Sequence, residues 1–379
     1  MGAPVDAGNP PGPVRAEDAF DVRRVAAWLT GHAGVEAGRP DVRQYPGGAS
    51  NLTFLLRYPD RDLILRRPPR GAKAKSAHDM RREFTIQQRL APVFPYVAPM
   101  VAFCDDESVI GSEFYVMERL DGVILRGDLP AGLSLDADGA ADLCGRFLDV
   151  LVELHGVDVT AAGLQDLGKG TGYVARQVAG WSDRYRRART DNVGDFETVM
   201  AWLAERQPDD VATCVIHNDY RLDNVVLDPG SLQVRGVLDW EMATLGDPLM
   251  DLGGALAYWI EEGDDPVFRQ LRRQPSDLPG MLTRWEMVQA YTARTGLSVT
   301  REQWLFYEVF GLFRLAVIAQ QIYYRYHHGQ TTNEAYAAFL PMVQYLEQRC
   351  ARLIAAPGAG AVPDAPGAGA VPDAPGAGA

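Results

Sequence analysis

The stretch Thr213-Cys-Val-Ile-His-Asn-Asp-Tyr-Arg-Leu-Asp-Asn-Val-Val-Leu-Asp228, followed by Val234-Arg-Gly-Val-Leu-Asp-Trp-Glu241 and Gly246-Asp-Pro-Leu-Met-Asp251, decides how this chain is read. Within it His217, Asp219 and Asn224 stand at the spacing His-x-Asp-x-x-x-x-Asn, and Asp239 ends a second apolar run fifteen residues after Asn224. The short apolar, valine-rich runs 214–216, 224–227 and 234–238 read as β-strands. That reading puts the polar residues at strand ends, beside a cleft.

The residue types suit phosphoryl transfer. Such a reaction needs a nucleophile held in line, its proton accepted, and the charge on the phosphates neutralised. A carboxylate can accept the proton, which makes Asp219 the expected general base. An amide oxygen and a second carboxylate are hard ligands suited to Mg²⁺, the role expected of Asn224 and Asp239. This is the spacing of a kinase-type catalytic loop followed by a metal-binding aspartate. The three-residue pattern arises by chance in on the order of one chain in fifty; Asp239 at the end of a second strand makes coincidence a poor explanation. The alternative is a hairpin whose Asp and Asn only make turns.

These residues, with the run Leu238-Asp-Trp-Glu-Met-Ala-Thr-Leu-Gly-Asp-Pro248, resemble the aminoglycoside phosphotransferase and choline kinase group of the kinase-like fold. The run is most similar to a branch that includes stand-alone bacterial proteins and domains fused to acyl-CoA dehydrogenases. The resemblance covers roughly residues 20–350. It implies an α+β, bilobal protein-kinase-like fold. A small N-terminal lobe with a five-stranded antiparallel sheet, residues 15–120, would bind the nucleotide. A larger, mainly helical lobe, residues 121–355, would carry the catalytic loop, metal and substrate site. It also implies ATP and Mg²⁺ as cofactors and a small hydroxylated molecule as acceptor. The Pro-, Gly- and Ala-rich ends, 1–14 and 356–379, read as disordered.

The resemblance assigns further residues. Gly47, Gly48, Ser50 and Asn51 join strand-like segments 42–45 and 52–58 in a hairpin loop that would cover the nucleotide, an ordinary hairpin being the other reading. At the end of the next apolar strand, where kinases carry a phosphate-pairing lysine, this chain has Arg66. Strand alternation sets Ile64 and Arg66 on one face and Arg67 on the other. Arg66 is therefore expected on the phosphates and Ile64 against the adenine, although a guanidinium is longer and less adaptable than an ammonium. Two solvated edge arginines are the alternative. Glu83, on a helix at 79–90, is the candidate partner of Arg66. Segments 100–104 and 113–120 read as the last two strands, after which the backbone of Glu118 and Leu120 would meet the adenine edge. The run 66–82, with seven Lys or Arg, reads as a solvated loop or an additional anion contact. In the catalytic group His217 matches a residue that braces the loop, and Arg221 is expected to stabilise the transferring phosphoryl group. Asn218 stands where many relatives carry glycine, and both tolerate left-handed backbone. Asp223 has no assigned role. Asp247 and Pro248 read as a helix cap and first turn, with Asp251 hydrogen-bonding back to the loop.

Bulk properties narrow the function classes. A chain of 379 residues, 47% apolar, can hold two lobes with their own cores. A net charge of −13 argues against general nucleic-acid binding. The cysteines at 104, 144, 214 and 350 form no Cys-x-x-Cys pair and are expected as reduced core thiols in a cytoplasmic protein. No run approaches eighteen apolar residues and no signal peptide is legible, so no membrane partner is expected. Helices are expected at 17–31, 138–156 and 172–206, and onward to about 354, with His155 structural. The acidic segment 261–265 reads as a solvated loop or as a cation trap for an aminoglycoside-like substrate. Arg314 and Arg325, if they face the cleft, favour an anionic substrate such as an acyl-CoA. Competing readings are a non-catalytic nucleotide-binding module, favoured only by Arg66, and a protein kinase, disfavoured because no activation segment ending in Ala-Pro-Glu follows Asp239. Oligomeric state is not legible.

Overall fold

Alternation along Leu52–Arg57 and Asp62–Arg67 builds the first part of the molecule, which a computed structural model describes for residues 10–46, 51–69 and 79–356. Strands β1 (Asp41–Gln44), β2 (Leu52–Arg57), β3 (Asp62–Arg67), β4 (Met100–Cys104) and β5 (Phe114–Glu118) form an antiparallel sheet in the order β1-β2-β3-β5-β4. Phe54, Leu56, Leu63, Leu65 and Val116 point to one face and pack under helix α1 (Val22–Ala33), through Val25 and Leu29. Leu55, Ile64, Tyr115 and Met117 share the other face with Met80, the first residue of helix α2 (Met80–Leu90). The Asp21 carboxylate caps α1 by accepting from the Arg23 and Arg24 amides, and Asp79 caps α2 by accepting from Arg82.

Strand alternation also disposes of the two arginines of β3, and neither is a solvated edge residue. Arg67 is buried beside the Phe54 ring, 5.5 Å away, and donates to the Asp18 carbonyl at 2.7 Å. Arg66 lies on the opposite face. The N-terminal reading needs a correction. Gly12, inside the segment expected to lack structure, exchanges two 2.9 Å backbone hydrogen bonds with Gln44. Strand β1 is a sheet edge, and its unpaired amide and carbonyl groups take up the nearest free backbone. The loop residues Gly47, Gly48 and Ser50, positions 70–78 of the basic run, and the repeat from 357 onward lie outside the described residues.

The remainder is mainly helical: α3 (Ala137–His155), α4 (Tyr173–Ala188), α5 (Glu197–Arg206), then strands β6 (Cys214–Ile216), β7 (Val225–Leu227), β8 (Val234–Val237) and β9 (Thr244–Gly246). It continues through α6 (Pro248–Leu256), α7 (Pro266–Arg269), α8 (Arg284–Thr295), α9 (Arg301–His327) and α10 (Phe339–Ala355). Strands β7 and β8 form one antiparallel ribbon and β6 and β9 another. The motif reading missed β9 because its residues, Thr-Leu-Gly, are too few to show a period. The cysteines are free and buried, and burial pushes the Cys144 thiol up to about 11.

Helix α9 organises this part. By length and composition it could cross a membrane, but 78% of its most apolar window is buried against the surrounding helices. It is a core helix. It approaches α6 closely at a pair of glycines: a Cβ on Gly311 would stand 2.3 Å from the Gly253 carbonyl oxygen. Because α6 follows the motif and carries Asp251, this contact sets the floor of the cleft. Gly311→Ala is expected to destabilise the fold by about 1–3 kcal/mol through overpacking, read as a lower urea midpoint with an unchanged slope.

Candidate active site

The catalytic loop runs from the end of β6 through a 3₁₀ turn at Leu222–Asn224 into β7. Two of the site's residues hold left-handed backbone without being glycine, Asn218 with φ 64° and Asp239 with φ 68°. Short polar side chains tolerate that region better than branched ones. What holds the loop there is Asp251. One carboxylate oxygen accepts the His217 amide at 2.8 Å, and the other accepts the Asn218 amide at 2.7 Å. Asp251 is positioned by its helix start, where Asp247 accepts the Leu249 and Met250 amides and Pro248 fills the first turn.

Asp251 is supported in turn. His155 Nε2 lies 3.1 Å from its carboxylate, and His155 Nδ1 lies 2.7 Å from the Tyr291 hydroxyl. A ring that donates to the carboxylate has a lone pair left for the phenol proton, so the chain runs Tyr291, His155, Asp251, loop amides. Burial works against the Asp251 charge, but the His155 hydrogen bond, electrostatic attraction to His155 and His217 and the His217 amide hold its carboxyl below the ordinary range. The structural role expected for His155 and the loop contact expected for Asp251 are both seen.

His217 is fully buried. Its Nε2 meets the Leu238 carbonyl at 3.0 Å and its Nδ1 accepts the Asp219 amide at 3.2 Å. The ring therefore ties the residue before Asp239 to the residue two places after itself in the loop, contacts that suit the bracing role its position resembles.

Asp219, Asn224 and Arg221 form a closed cluster. The Asn224 side-chain nitrogen donates to both the carbonyl and the carboxylate of Asp219, each at 2.9 Å. That leaves its Oδ1 as the free acceptor of the amide. Arg221 places Nε 3.1 Å from one Asp219 oxygen and a terminal nitrogen 3.1 Å from the other, and also pairs with Asp223 at 3.4 Å. Its guanidinium stacks 4.5 Å from the Tyr258 ring. Arg221 was expected to reach for a phosphoryl group. Instead it is occupied by Asp219 and Asp223, because the two carboxylates lie within the span of one fork. Burial pushes the Asp223 carboxyl up, against the pull of Arg221.

Arg66 connects the sheet to this cluster. It lies 3.2 Å from Glu83 on α2 and donates to Asp239 at 2.9 Å. The expected pairing with Glu83 is present, and the contact with Asp239 is additional. Burial opposes the Arg66 charge, yet Glu83 and Asp239 keep the guanidinium protonated, well above its ordinary value. Burial also opposes the Asp239 charge, and Arg66 overcomes this to hold the carboxyl low. Glu83 is pushed up by its own burial, with Arg66 pulling the other way.

The nucleotide-side assignments divide. Ile64 packs with Leu55, Tyr115 and Met117 on the face that carries Arg66. Asn51 is buried and donates to the Glu241 carboxylate at 3.0 Å, so its amide ties the base of the hairpin loop to the segment after Asp239. Arg82 reinforces that tie by donating to the Glu241 and Ala243 carbonyls. The Glu118 amide is consumed inside the sheet by the Pro99 carbonyl at 2.9 Å. Proline has no N–H to return, so that pair leaves the Glu118 carbonyl unclaimed. Leu120 covers Gly236 of β8, where a Cβ would fall 2.2 Å from its side chain.

Two surface readings are resolved by tertiary contacts. The acidic segment is partly neutralised within the fold: Asp264 sits between Arg284, at 2.6 Å, and Arg349, at 3.0 Å, and Glu261 pairs with Arg284 at 3.3 Å, while Glu262 is exposed. Arg314 faces the catalytic loop and donates to the Asn218 carbonyl at 2.7 Å, whereas Arg325 is exposed near the end of α9. Tyr258, Tyr291, Gln274 (which accepts the Leu222 amide at 2.8 Å) and Trp181 carry no assignment from the sequence. They lie outside the motif and follow no local pattern. No group of three or more His, Cys, Asp or Glu among the described residues could hold a metal. Asn224 Oδ1 and the second oxygen of Asp239 are a hard donor pair that fits part of a Mg²⁺ shell, the ion's other positions being of the kind water and phosphate fill.

Comparison with known proteins agrees with this geometry. The model of the phosphotransferase enzyme family matches residues 41–287, and the chain belongs to that family. It is 34% identical to human acyl-CoA dehydrogenase family member 11 over 335 residues, 87% of this chain and 42% of that protein. It is also 34% identical to mouse acyl-CoA dehydrogenase family member 10 over 336 residues, 88% of this chain and 31% of that protein. The chain thus spans less than half the length of these curated relatives, the branch its Leu238–Pro248 run resembles. Among solved structures, a candidate aminoglycoside phosphotransferase of Ralstonia eutropha superposes with a TM-score of 0.73 at 31% identity, covering 88% of this chain and 99% of that one. A macrolide 2'-phosphotransferase type I shares the fold, with a TM-score of 0.56 at 21% identity over 87% and 98% of the two chains.

Asp251→Asn is expected to cost about 1–3 kcal/mol at neutral pH, because an amide nitrogen would confront a buried loop N–H. A depressed folded pKa contributes stability above the ordinary carboxylate value of about 4 and loses it as pH falls through the folded value. The gap between wild type and variant should therefore close with acidification below that range, as measured by urea unfolding at stepped pH.

Proposed function

We propose that the protein transfers the γ-phosphoryl group of ATP to a hydroxyl of a small molecule, with Mg²⁺ as the assisting ion. The observation that carries this reading is the joint fixation of Asp219 and Asn224 at 2.9 Å beside an Asp239 already bound to Arg66 at 2.9 Å. Asp219 would accept the acceptor's proton, and Arg221 holds its carboxylate in one orientation. Asn224 Oδ1 and Asp239 would hold the ion, whose charge offsets that of the phosphates when bound. Arg66, kept straight by Glu83, would grip the triphosphate in the place usually given to lysine. The Glu83 pairing weakens the case for a non-catalytic nucleotide module, since it supplies the ion pair that such a lysine would make.

Two acceptor classes follow from the relatives, a hydroxylated aminoglycoside and a hydroxyacyl-CoA. The internal neutralisation of Asp264 and Glu261 removes the feature that favoured a polycationic acceptor. An ADP-release assay against a library of hydroxylated compounds, with ATP and Mg²⁺, tests the reading. Asp219→Ala is expected to lower kcat by roughly a hundredfold or more, with ATP affinity little changed by calorimetry. Undiminished turnover in that variant, or no ADP with any acceptor, would sink it.

A further inference from the structure

Helix α4 presents Trp181, a buried indole, between two guanidinium groups: Arg184 is 4.7 Å and Arg314 5.3 Å from the ring. Arg314 also holds the Asn218 carbonyl at 2.7 Å, one residue before Asp219, and the Tyr173 hydroxyl donates to the Asn218 side chain at 3.0 Å. The pair of arginines therefore stands at the catalytic loop. Gly180 leaves the helix surface open next to Arg184, whose terminal nitrogen would lie 3.6 Å from a Cβ there.

Among the described residues no carboxylate pairs with Arg184 or Arg314. Four arginines of the site and its floor differ in this, each pairing with a carboxylate: Arg66 with Glu83 and Asp239, Arg221 with Asp219 and Asp223, Arg284 with Asp264 and Glu261, Arg349 with Asp264. Burial, then Arg187 and Arg314, lower the Arg184 pKa, and among the described residues no carboxylate pairs with it to offset the repulsion. Repulsion of this kind is relieved by a bound anion, and stacked arginines keep their in-plane donors free for a carboxylate or phosphate.

We propose that Arg184 and Arg314, arranged around Trp181 beside Asn218, form a subsite for an anionic group, phosphate or carboxylate, carried by the hydroxylated acceptor. The proposal rests on the phosphotransferase reading for the word acceptor, and on the geometry alone for the anion. An acceptor anchored here by its charge would have its neutral, hydroxyl-bearing part left to approach Asp219.

The test is binding and not turnover, with the nucleotide site filled by a non-hydrolysable ATP analogue and Mg²⁺ so that the probe is not drawn to it. Inorganic phosphate and succinate are titrated separately into the intact protein by calorimetry. At least one should bind wild type, and Arg184→Gln should weaken that binding by ~10-fold or more, the loss of one charge-assisted pair. Affinity for the ATP analogue and the melting temperature should not change, because Arg184 is exposed and bonds no loop residue. The probe that binds identifies the group. Neither probe binding to wild type, or equal binding by Arg184→Gln, would overturn the subsite. Failure of the phosphotransferase reading would show instead as absent ADP formation while Arg184-dependent anion binding persists.

Discussion

The site depends on a single buried carboxylate. Asp251 accepts two consecutive loop amides, and without it those N–H groups would be buried with no acceptor. Desolvating such a charge is costly unless its lone pairs are filled, and His155 supplies a third partner. The consequence reaches well beyond one contact. Helix α3 contributes His155, α8 contributes Tyr291 and α6 contributes Asp251 itself, so three helices converge on the backbone of two residues. The loop's left-handed Asn218 is held by that convergence and by Arg314 from α9.

A second set of charges joins the sheet to the helical part. Arg66 spans from Glu83 to Asp239, and Asn51 and Arg82 bind the segment that follows Asp239. Everything presented to the nucleotide side therefore moves with the residue expected to hold the ion. Arginine in place of lysine fits this arrangement physically: a fork can serve two carboxylates at once, where a compact ammonium serves them as a point charge. Arg221 likewise meets two carboxylates, donating from a terminal nitrogen to Asp219 and standing 3.4 Å from Asp223 through Nε.

Much of this was legible in local pattern. The five strands of the sheet, the cap at Asp247, and the helix expected at 138–156 and found at Ala137–His155 announce themselves by period and by capping residue. The Glu83 partner of Arg66 was also foreseeable, because the family resemblance implies an acidic partner on the helix that follows β3. Pattern failed where charge was at issue. Residues 261–265 look like a solvated acidic loop until Arg284 and Arg349, from α8 and α10, arrive to neutralise Glu261 and Asp264. Gly12 lies in a segment composed like a disordered tail, and only the unpaired edge of β1 gives it a partner. Arg221 looked like a phosphate ligand because nothing in the sequence says that two carboxylates will sit within its reach.

By itself the sequence determined the kind of molecule: its strands and helices, the four motif positions 217, 219, 224 and 239, and the spacing that sets three of them on one short loop and the fourth at the end of the next ribbon. These depend on neighbours within a few tens of residues, and local period and turn chemistry reach that far. Tertiary structure alone decided what each charge does. Whether an arginine meets a carboxylate, a carbonyl or an indole depends on helices brought together across a hundred residues or more of chain, as Arg314 and Trp181 are. Burial then multiplies the effect of each such meeting, since a charge removed from water must find its partner within the fold.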